Sequence, residues 1–349
     1  MVPLLPSGPR EGGLRGGLAR AARPAPGARR MTAPDLSVDL GRGLVLPAPV
    51  GLASGTAGYG FELRQLIDMD RLGALFTKGT TLHPREGNPP PRVAEVRGGL
   101  LNAIGLQNPG VEHVASIYAP EFSRWGIPVV VNVAGGDVED YLQCLDRLER
   151  AEGLAGYELN ISCPNIANGL DFGRDPAAAG RLVAAARART GRHLMVKLSP
   201  NVTDIAAVAR AVEEAGADSV SAVNTYVGMK IHRGIRAPVL PGKGTGGLSG
   251  PVIKPLALAA VAQVSAAVGI PVVGVGGIMD AGDALEFLIA GAVAVQVGTA
   301  TFVNPAASLD ILDGLTAIAT RAGARRLGEL CGPARPAVPP AGIEPASTG

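Results

Sequence analysis

The stretch that decides the fold reads GYELNISCPN over residues 156–165, and it joins a strand to a polar loop. The apolar run at 156–159 predicts a buried β-strand. The hexapeptide 160–165 then supplies amides, a thiol and a proline, which ends strand pairing. A free cysteine is often an inert core residue, but amides beside it are expensive to bury. Since an ionised thiol is a base or a nucleophile, the segment predicts a strand that ends at a reactive site.

Short β-rich runs of this kind recur along the chain. We count eight of them, at residues 50–53, 74–77, 129–133, 157–161, 194–198, 220–223, 272–275 and 293–297. Segments with helical period, such as 206–215 and 281–290, lie between most of them. Alternating β and α segments indicate a parallel sheet, and eight repeats predict a single closed (β/α)₈ TIM barrel of the α/β class. A doubly wound open sheet is the alternative.

The two ends of the 349-residue chain differ from this patterned centre. Residues 1–30 carry six arginines against one glutamate, with much Gly, Pro and Ala. They contain no apolar segment long enough for a signal peptide or a membrane span. We expect 1–32 to be a disordered extension, 33–330 to be the barrel and 331–349 to be a disordered proline-rich tail. Translation from Met31 would explain the extension, and a transit peptide is the alternative.

Composition excludes several classes of function. The formal charge is +2, and without the +5 of residues 1–30 the remainder is near −3, so no nucleic-acid footprint is present. Three separated cysteines, Cys144, Cys163 and Cys331, form neither a disulfide framework nor a metal cluster. The four histidines show no paired ligand spacing. We therefore expect a cytoplasmic protein without a metal site and without a nucleic-acid or membrane partner.

Polar residues and glycines gather where the predicted strands end. The carboxyl ends of parallel strands meet at one end of a barrel, where barrel enzymes place their sites. Three long irregular stretches, 80–109, 163–175 and 225–250, follow strands and would crowd the same end. The strand-end residues are Ser54, Lys78, Gly79, Asn132, Asn160, Cys163, Lys197, Asn224, Thr225, Gly276, Gly277, Gly298 and Thr299.

The turns after the seventh and eighth strands, at 275–278 and 297–300, predict a phosphate site. Glycines let backbone N–H groups approach phosphate oxygens, and a helix start adds positive potential. Glycine in either turn alone would also suit a tight connection, but both together favour a phosphate. The glycine-rich loop 244–250 predicts a further backbone contact. No GxGxxG with a downstream acid indicates a dinucleotide site.

Two lysines lie near strand ends. Lys197 is flanked by core residues, so its charge must meet an anion to offset desolvation. A reduced flavin, with negative charge near N1 and the C2 oxygen, is a suitable partner. Lys78 would suit a carboxylate or a flavin oxygen nearer the mouth. A solvated surface charge is the alternative for either lysine.

Over residues 33–325 the chain resembles the catalytic subunit of class 1 dihydroorotate dehydrogenases, closest to the 1B type that works with an iron–sulfur flavoprotein. The resemblance rests on several motifs together. They are NPPPR at 88–92, LNAIGLQNPG at 101–110, the hexapeptide 160–165, VKLSPN at 196–201, Asn224-Thr225, the 244–250 loop and the two phosphate turns.

The resemblance implies oxidation of (S)-dihydroorotate to orotate in pyrimidine (UMP) synthesis, with one flavin mononucleotide (FMN) per chain. Cys163 would remove a C5 proton, and hydride from C6 would pass to flavin N5. Substrate would contact Lys78, Asn102, Ala103, Ile104, Gly105, Leu106, Asn160, Asn165, Asn224 and Thr225. FMN would contact Ser54, Lys78, Gly79, Asn132, Asn160, Lys197, Val223, Gly250, Gly276, Gly277, Gly298 and Thr299.

The resemblance also implies partners. Two catalytic chains would pair, and a partner subunit carrying FAD and a 2Fe–2S cluster would complete a heterotetramer and pass electrons to NAD. The loop 163–175 would close over the site. Three alternatives stay open: a fumarate-using class 1A enzyme, a dihydropyrimidine dehydrogenase-like subunit, and a non-catalytic barrel that binds a phosphorylated ligand.

Overall fold

Eight parallel strands form a closed barrel in the computed structural model, which describes residues 33–162, 172–240 and 244–331. The strands, numbered β1 to β8 in chain order, are Val50–Leu52, Leu75–Phe76, Val129–Val133, Gly156–Asn160, His193–Lys197, Ser219–Ala222, Val272–Val275 and Ala294–Val297. Each strand pairs with the next along the chain, and β8 pairs with β1. The predicted barrel is confirmed, every predicted run overlaps a strand, and the open-sheet alternative is wrong.

Helices cover the outside of the barrel. Those of nine or more residues in the described part are α1 (Val138–Leu148), α2 (Pro176–Arg187), α3 (Ile205–Glu214), α4 (Lys254–Ser265), α5 (Ala281–Ile289) and α6 (Ala307–Ala322). Four of them begin at an aspartate whose side chain accepts from a backbone N–H of the first turn, which satisfies a group that the helix leaves free. The two helices predicted near 206–215 and 281–290 are confirmed as α3 and α5.

Shorter helical segments complete the described chain. They are Val111–His113, the π-helix Val114–Tyr118, Ala119–Phe122, Ala300–Val303, and the 3₁₀ turns Leu63–Gln65, Met69–Arg71, Pro251–Ile253 and Leu327–Leu330.

The outward side chains of the strands pack beneath these helices. Val131, Leu159 and Val196 belong to one large apolar cluster that also contains Leu145 of α1 and Val208 of α3. The strands are therefore buried on both faces, as expected for a parallel sheet that helices cover.

A short hairpin closes the amino-terminal end of the barrel. Its strands, Val38–Asp39 and Val45–Leu46, pair antiparallel. Leu40, Leu44 and Leu46 pack against inward-facing barrel residues. We call this cluster the lower core, and its barrel members are Ala74, Phe76, Val130, Met195, Val273 and Ala294.

The inward-facing side chains change from apolar to polar two residues further along the strands, toward their carboxyl ends. Side chains at i and i+2 of a strand share a face, so the interior position after Val130 is Asn132, and the one after Met195 is Lys197. The buried residues of this level, which we call the polar layer, are Asn132, Glu158, Lys197, Ser221 and Gln296.

The stretches 80–109 and 225–250, predicted to be irregular, instead contribute strands. Antiparallel pairing joins Val93–Val96, Gly99–Asn102, Gly246–Ser249 and Tyr226–Gly228 into a four-stranded sheet, which we call the mouth sheet. A two-stranded ribbon, Ile231–His232 with Ala237–Pro238, follows it in the chain.

The mouth sheet is short in every strand and rich in glycine, so local pattern does not show it. A Cβ at Gly247 would lie 2.2 Å from Thr225 Oγ1, so only glycine lets these two loops approach. The prediction of irregular structure was wrong because the strands are short and because the central pairing joins Gly99–Asn102 to Gly246–Ser249, far apart in the chain. The pairing of Val93–Val96 with Gly99–Asn102 is a local hairpin, and it was missed as well.

Candidate active site

A cavity of about 660 Å³ lies at the carboxyl ends of the barrel strands, within the range of small-molecule sites. Every predicted site residue of the described ranges lines it: Ser54, Lys78, Gly79, Asn102, Ala103, Ile104, Gly105, Leu106, Asn132, Asn160, Lys197, Val223, Asn224, Thr225, Gly250, Gly276, Gly277, Gly298 and Thr299. Cys163, Asn165 and most of the loop 163–175 lie outside the described residues, as do 1–32 and 332–349.

The floor of the cavity rests on a buried carboxylate. Glu158, 0% exposed, accepts hydrogen bonds from Asn132 Nδ2 at 2.6 Å, Ser221 Oγ at 2.7 Å and Gln296 Nε2 at 2.8 Å. These groups come from four different barrel strands. The network therefore forms only when the barrel closes.

Lys197 is the cation of this floor. It is 4% exposed and donates to Ser54 Oγ at 3.1 Å and to Gln296 Oε1 at 3.4 Å. Its Nζ lies 4.0 Å from Glu158 Oε2. The anion that this lysine was expected to need is therefore supplied, at least in part, by Glu158 of the protein itself.

Sequence reasoning missed that anion because it treated residues 156–159 as an apolar run. The signal was present, since a carboxylate in the middle of a buried strand needs partners. Ser221 and Gln296 of the same network were also missed. Asn201, which donates to the Thr225 carbonyl at 2.9 Å, was quoted only as part of a motif.

One polar atom of the floor has no hydrogen-bond partner within residues 33–162, 172–240 and 244–331. Asn132 Oδ1 is buried and accepts no hydrogen bond, while Nδ2 of the same amide is held by Glu158. A Cβ at Gly79 would lie 3.2 Å from Oδ1. An unsatisfied buried acceptor costs about 1–3 kcal/mol, so a ligand N–H or O–H group at this point would be stabilising.

The glycine turns form a backbone-lined recess at one side of the cavity. Gly276 and Gly277 have φ values of 135° and 76°, which favour glycine. A Cβ at Gly277 would lie 2.8 Å from the Lys254 backbone N and 2.9 Å from the Gly250 carbonyl oxygen. Thr299 Oγ1 donates to or accepts from Ser249 Oγ at 2.9 Å. The predicted turns after β7 and β8 thus meet the glycine-rich loop, and close backbone approach is what a phosphate site needs.

Amide side chains from separate strands meet on another wall. Asn224 Nδ2 donates to Asn160 Oδ1 at 3.2 Å, and Asn102 Nδ2 donates to the Gly247 carbonyl at 3.1 Å across the mouth sheet. The hydroxyl of Tyr141 donates to the Asn160 carbonyl at 2.7 Å. These contacts hold the amides at fixed angles, so a planar polar ligand would meet preorganised donors and acceptors.

Lys78 lies at the mouth, half-buried. Burial lowers the pKa of its ammonium group, and the nearby Arg92 guanidinium lowers it further, while Glu62 opposes the shift. An anionic ligand group beside Lys78 would favour the charged form and oppose this lowering of the pKa. The lysine is therefore suited to bind a carboxylate or an electron-rich oxygen.

Two other classes of site find no support in the described ranges. No group of three or more His, Cys, Asp or Glu side chains there could hold a metal ion. None of the helices between residues 33 and 331 that the structure describes combines the length and apolarity needed to cross a bilayer.

Known proteins are similar to this chain in sequence. Residues 39–319 match the family model described as dihydroorotate dehydrogenase. Relatives from Pelobacter propionicus and Desulforamulus reducens are each 50% identical, over 300 and 301 residues that cover 86% of this chain and 98% of each relative. One from Bacteroides thetaiotaomicron is 47% identical over 299 residues, or 85% and 98%. All three are named dihydroorotate dehydrogenase B (NAD(+)), catalytic subunit. The matched span contains every barrel strand and every cavity residue named above, and this chain belongs to the dihydroorotate dehydrogenase family.

Proposed function

We propose that the chain oxidises (S)-dihydroorotate to orotate in pyrimidine (UMP) biosynthesis, with FMN as its cofactor, and passes the electrons to NAD through a partner subunit. The names of its relatives support the reaction. The observation that carries the proposal is one cavity that joins a cationic floor, a glycine recess and a wall of amides.

The residues present fit FMN. The glycine recess of Gly250, Gly276, Gly277, Gly298 and Thr299 suits the phosphate, because backbone N–H groups can reach its oxygens. Ser54, Lys78, Gly79, Asn132, Asn160, Lys197 and Val223 would surround the rest of the molecule. The unsatisfied Asn132 oxygen supports this fit, since a flavin carries N–H and ribityl O–H donors. When bound there, FMN supplies the acceptor for the hydride that leaves C6 of the substrate.

The amide wall fits dihydroorotate. The ring offers two N–H donors, two carbonyl acceptors and a carboxylate, and amides can complement both donors and acceptors. We assign this contact to Asn102, Asn160, Asn165, Asn224 and Thr225, with residues 103–106 lining the ring and Lys78 beside the carboxylate. Fixed amides orient the ring, which lowers the entropic part of the barrier.

We assign the base to Cys163. The C5 proton lies next to a carbonyl, and its removal needs a positioned base whose pKa is not far from neutral. Ser162, the residue before Cys163 in the chain, lines the cavity. In this role the Cys163 thiolate accepts the C5 proton, and the loop 163–175 keeps water from it.

The wider assembly follows from the relatives. A catalytic subunit by name has a partner, and we infer one that carries FAD and a 2Fe–2S cluster, bound to a homodimer of this chain in a heterotetramer. We place the complex in the cytoplasm, where the free thiols of Cys144 and Cys331 stay reduced. The extension 1–32 and the tail 331–349 have no role in this proposal.

Colour and bleaching test the function. Purified protein should be yellow and should bleach when dihydroorotate is added without oxygen. The isolated chain should then reduce an artificial dye but neither fumarate nor NAD. Fumarate reduction would instead indicate a class 1A enzyme. A preference for reduced pyrimidine bases as substrates would indicate a dihydropyrimidine dehydrogenase-like subunit. Colourless protein would indicate a non-catalytic barrel.

A further inference from the structure

Glu158 is a buried carboxylate that the proposed reaction leaves without a role. It does not line the cavity, but Asn132, Lys197 and Gln296, which contact it, all do. It therefore acts, if at all, through those side chains. Their contacts show what it controls.

An ionised carboxylate can only accept hydrogen bonds, and this fixes the direction of two amides. Asn132 must turn its NH₂ group toward Glu158, so its oxygen points away and has no partner among the described residues. Gln296 likewise donates to Glu158 and turns its oxygen toward Lys197. Glu158 thus fixes which atom each of these two amides turns toward its other neighbours.

The same carboxylate offsets the charge of the floor. In the described part of the chain, Glu158 is the acidic side chain within ion-pair distance of Lys197 Nζ, at 4.0 Å. Both groups are withdrawn from water, where opposite charges compensate strongly. A flavin above Lys197 would therefore feel less positive potential than the lysine alone would create.

We infer that Glu158 is a positioning residue that lowers the reduction potential of the bound flavin by opposing the Lys197 charge. This inference rests on the proposed function, because it needs FMN in the cavity. Reduction of FMN to its anionic form consumes two electrons and one proton, and nearby positive charge favours the anion. Removing Glu158 should therefore make the flavin easier to reduce.

The variant Glu158→Gln keeps the shape and removes the charge. Where the NH₂ group of the introduced glutamine faces Asn132, the Asn132 amide accepts from it by rotating, which turns its own NH₂ group toward Gly79. Adding Asn132→Asp should reverse both effects. The introduced aspartate accepts from the glutamine and returns the negative charge.

The experiment is a potentiometric titration of purified FMN-loaded protein against a reference dye without oxygen, with every variant measured at the same pH. We expect E158Q to raise the midpoint potential by about 30 mV or more, a tenfold change for a two-electron couple. E158Q with N132D should recover most of that shift. Ser221→Ala, which removes one donor to the same carboxylate without changing charge, is the matched control and should leave the potential in place.

An unchanged or lowered potential in E158Q overturns the inference, and so does a double variant that keeps the full shift. If E158Q yields no folded protein, the double variant decides: a potential near that of the parent supports the inference, and a difference of about 30 mV or more contradicts it. Parent protein that binds no FMN would contradict the proposed function instead, so the two failures are distinguishable.

Discussion

The two halves of the barrel interior are built by the same strands and have opposite chemistry. On β3 the lower residue is Val130 and the upper is Asn132, and on β5 Met195 lies below Lys197. The lower half is apolar and sealed by the hairpin, whereas the upper half holds an ion pair and an unsatisfied oxygen. A rigid, well-packed lower core lets the upper half keep polar groups arranged for a ligand rather than for stability.

The difference also explains why the polar layer survives burial. Separating Glu158 and Lys197 from water costs several kcal/mol per ion, and this is offset only when hydrogen bonds and the opposite charge are well placed. Three donors converge on Glu158, and Ser54 and Gln296 hold Lys197. This comparison predicts that substitutions in the upper half of the barrel alter the rate or potential of the reaction, and that substitutions in the lower half alter the free energy of unfolding.

The largest effect is expected from Cys163→Ala, which removes the proposed base. Anaerobic stopped-flow should show flavin reduction by dihydroorotate slowed about 10²–10⁴-fold, while FMN stays bound and the urea midpoint hardly moves. Cys144→Ala is the control, because burial raises the pKa of the Cys144 thiol to about 12 and keeps it inert. Equal rates in the Cys163 variant and the parent would remove Cys163 from the mechanism.

A substitution in the lower core should reduce stability and leave the reaction rate unchanged. Leu46 is buried in the hairpin, and Leu46→Ala should lower the free energy of unfolding of the apoprotein by about 2–5 kcal/mol in urea denaturation. FMN affinity and the reduction rate at 25 °C should stay within about twofold of the parent. Its exposed neighbour Val45 provides the control, since Val45→Ala should change neither quantity. Loss of FMN affinity in Leu46→Ala would show that the two halves are coupled.

A smaller effect concerns the mouth, where we propose that Lys78 holds the substrate carboxylate. Because burial lowers the pKa of Lys78, its charge is lost at a lower pH than for an ordinary lysine. The dissociation constant of orotate should therefore rise as pH increases through that lowered pKa, by at most about tenfold per pH unit. Lys78→Arg keeps its charge over this range and should flatten the curve. A parent curve as flat as that of the arginine variant would exclude the role of Lys78.

The smallest effect is expected at the bottom of the barrel. The His193 ring contacts the Gly41 carbonyl at 3.1 Å and Ser219 Oγ at 2.8 Å, and burial lowers its pKa. The unfolded chain then takes up a proton below about pH 6.5 before the folded protein does, so stability falls as pH drops from about 6.5 through the lowered folded pKa. Urea denaturation from pH 7.5 to 5 should show this decline. His193→Gln should have a shallower slope, and an identical slope would assign the decline to other groups.

Local pattern predicted most of the fold. The eight strands and the helices α3 and α5 follow from runs of branched apolar residues and from helical period, both of which depend on neighbours in the chain. The mouth sheet was missed because its strands are short and its central pairing joins segments far apart in sequence. The strand-end residues of the cavity were found because strand ends of a barrel converge, and residues 102–106 were found through the family resemblance. Glu158 was not found, because a single acid inside an apolar run does not alter the pattern.

The sequence by itself determined a barrel with its polar residues at the carboxyl ends, because strand and helix periods are local and the closure of eight repeats follows from them. Only the tertiary structure decided which side chains meet. Glu158, Ser221 and Gln296 converge from β4, β6 and β8, and this contact fixes the orientation of Asn132 and the partner of Lys197. Hydrogen bonds act over about 3 Å between residues far apart in the chain, so the closed barrel sets them and no local pattern does.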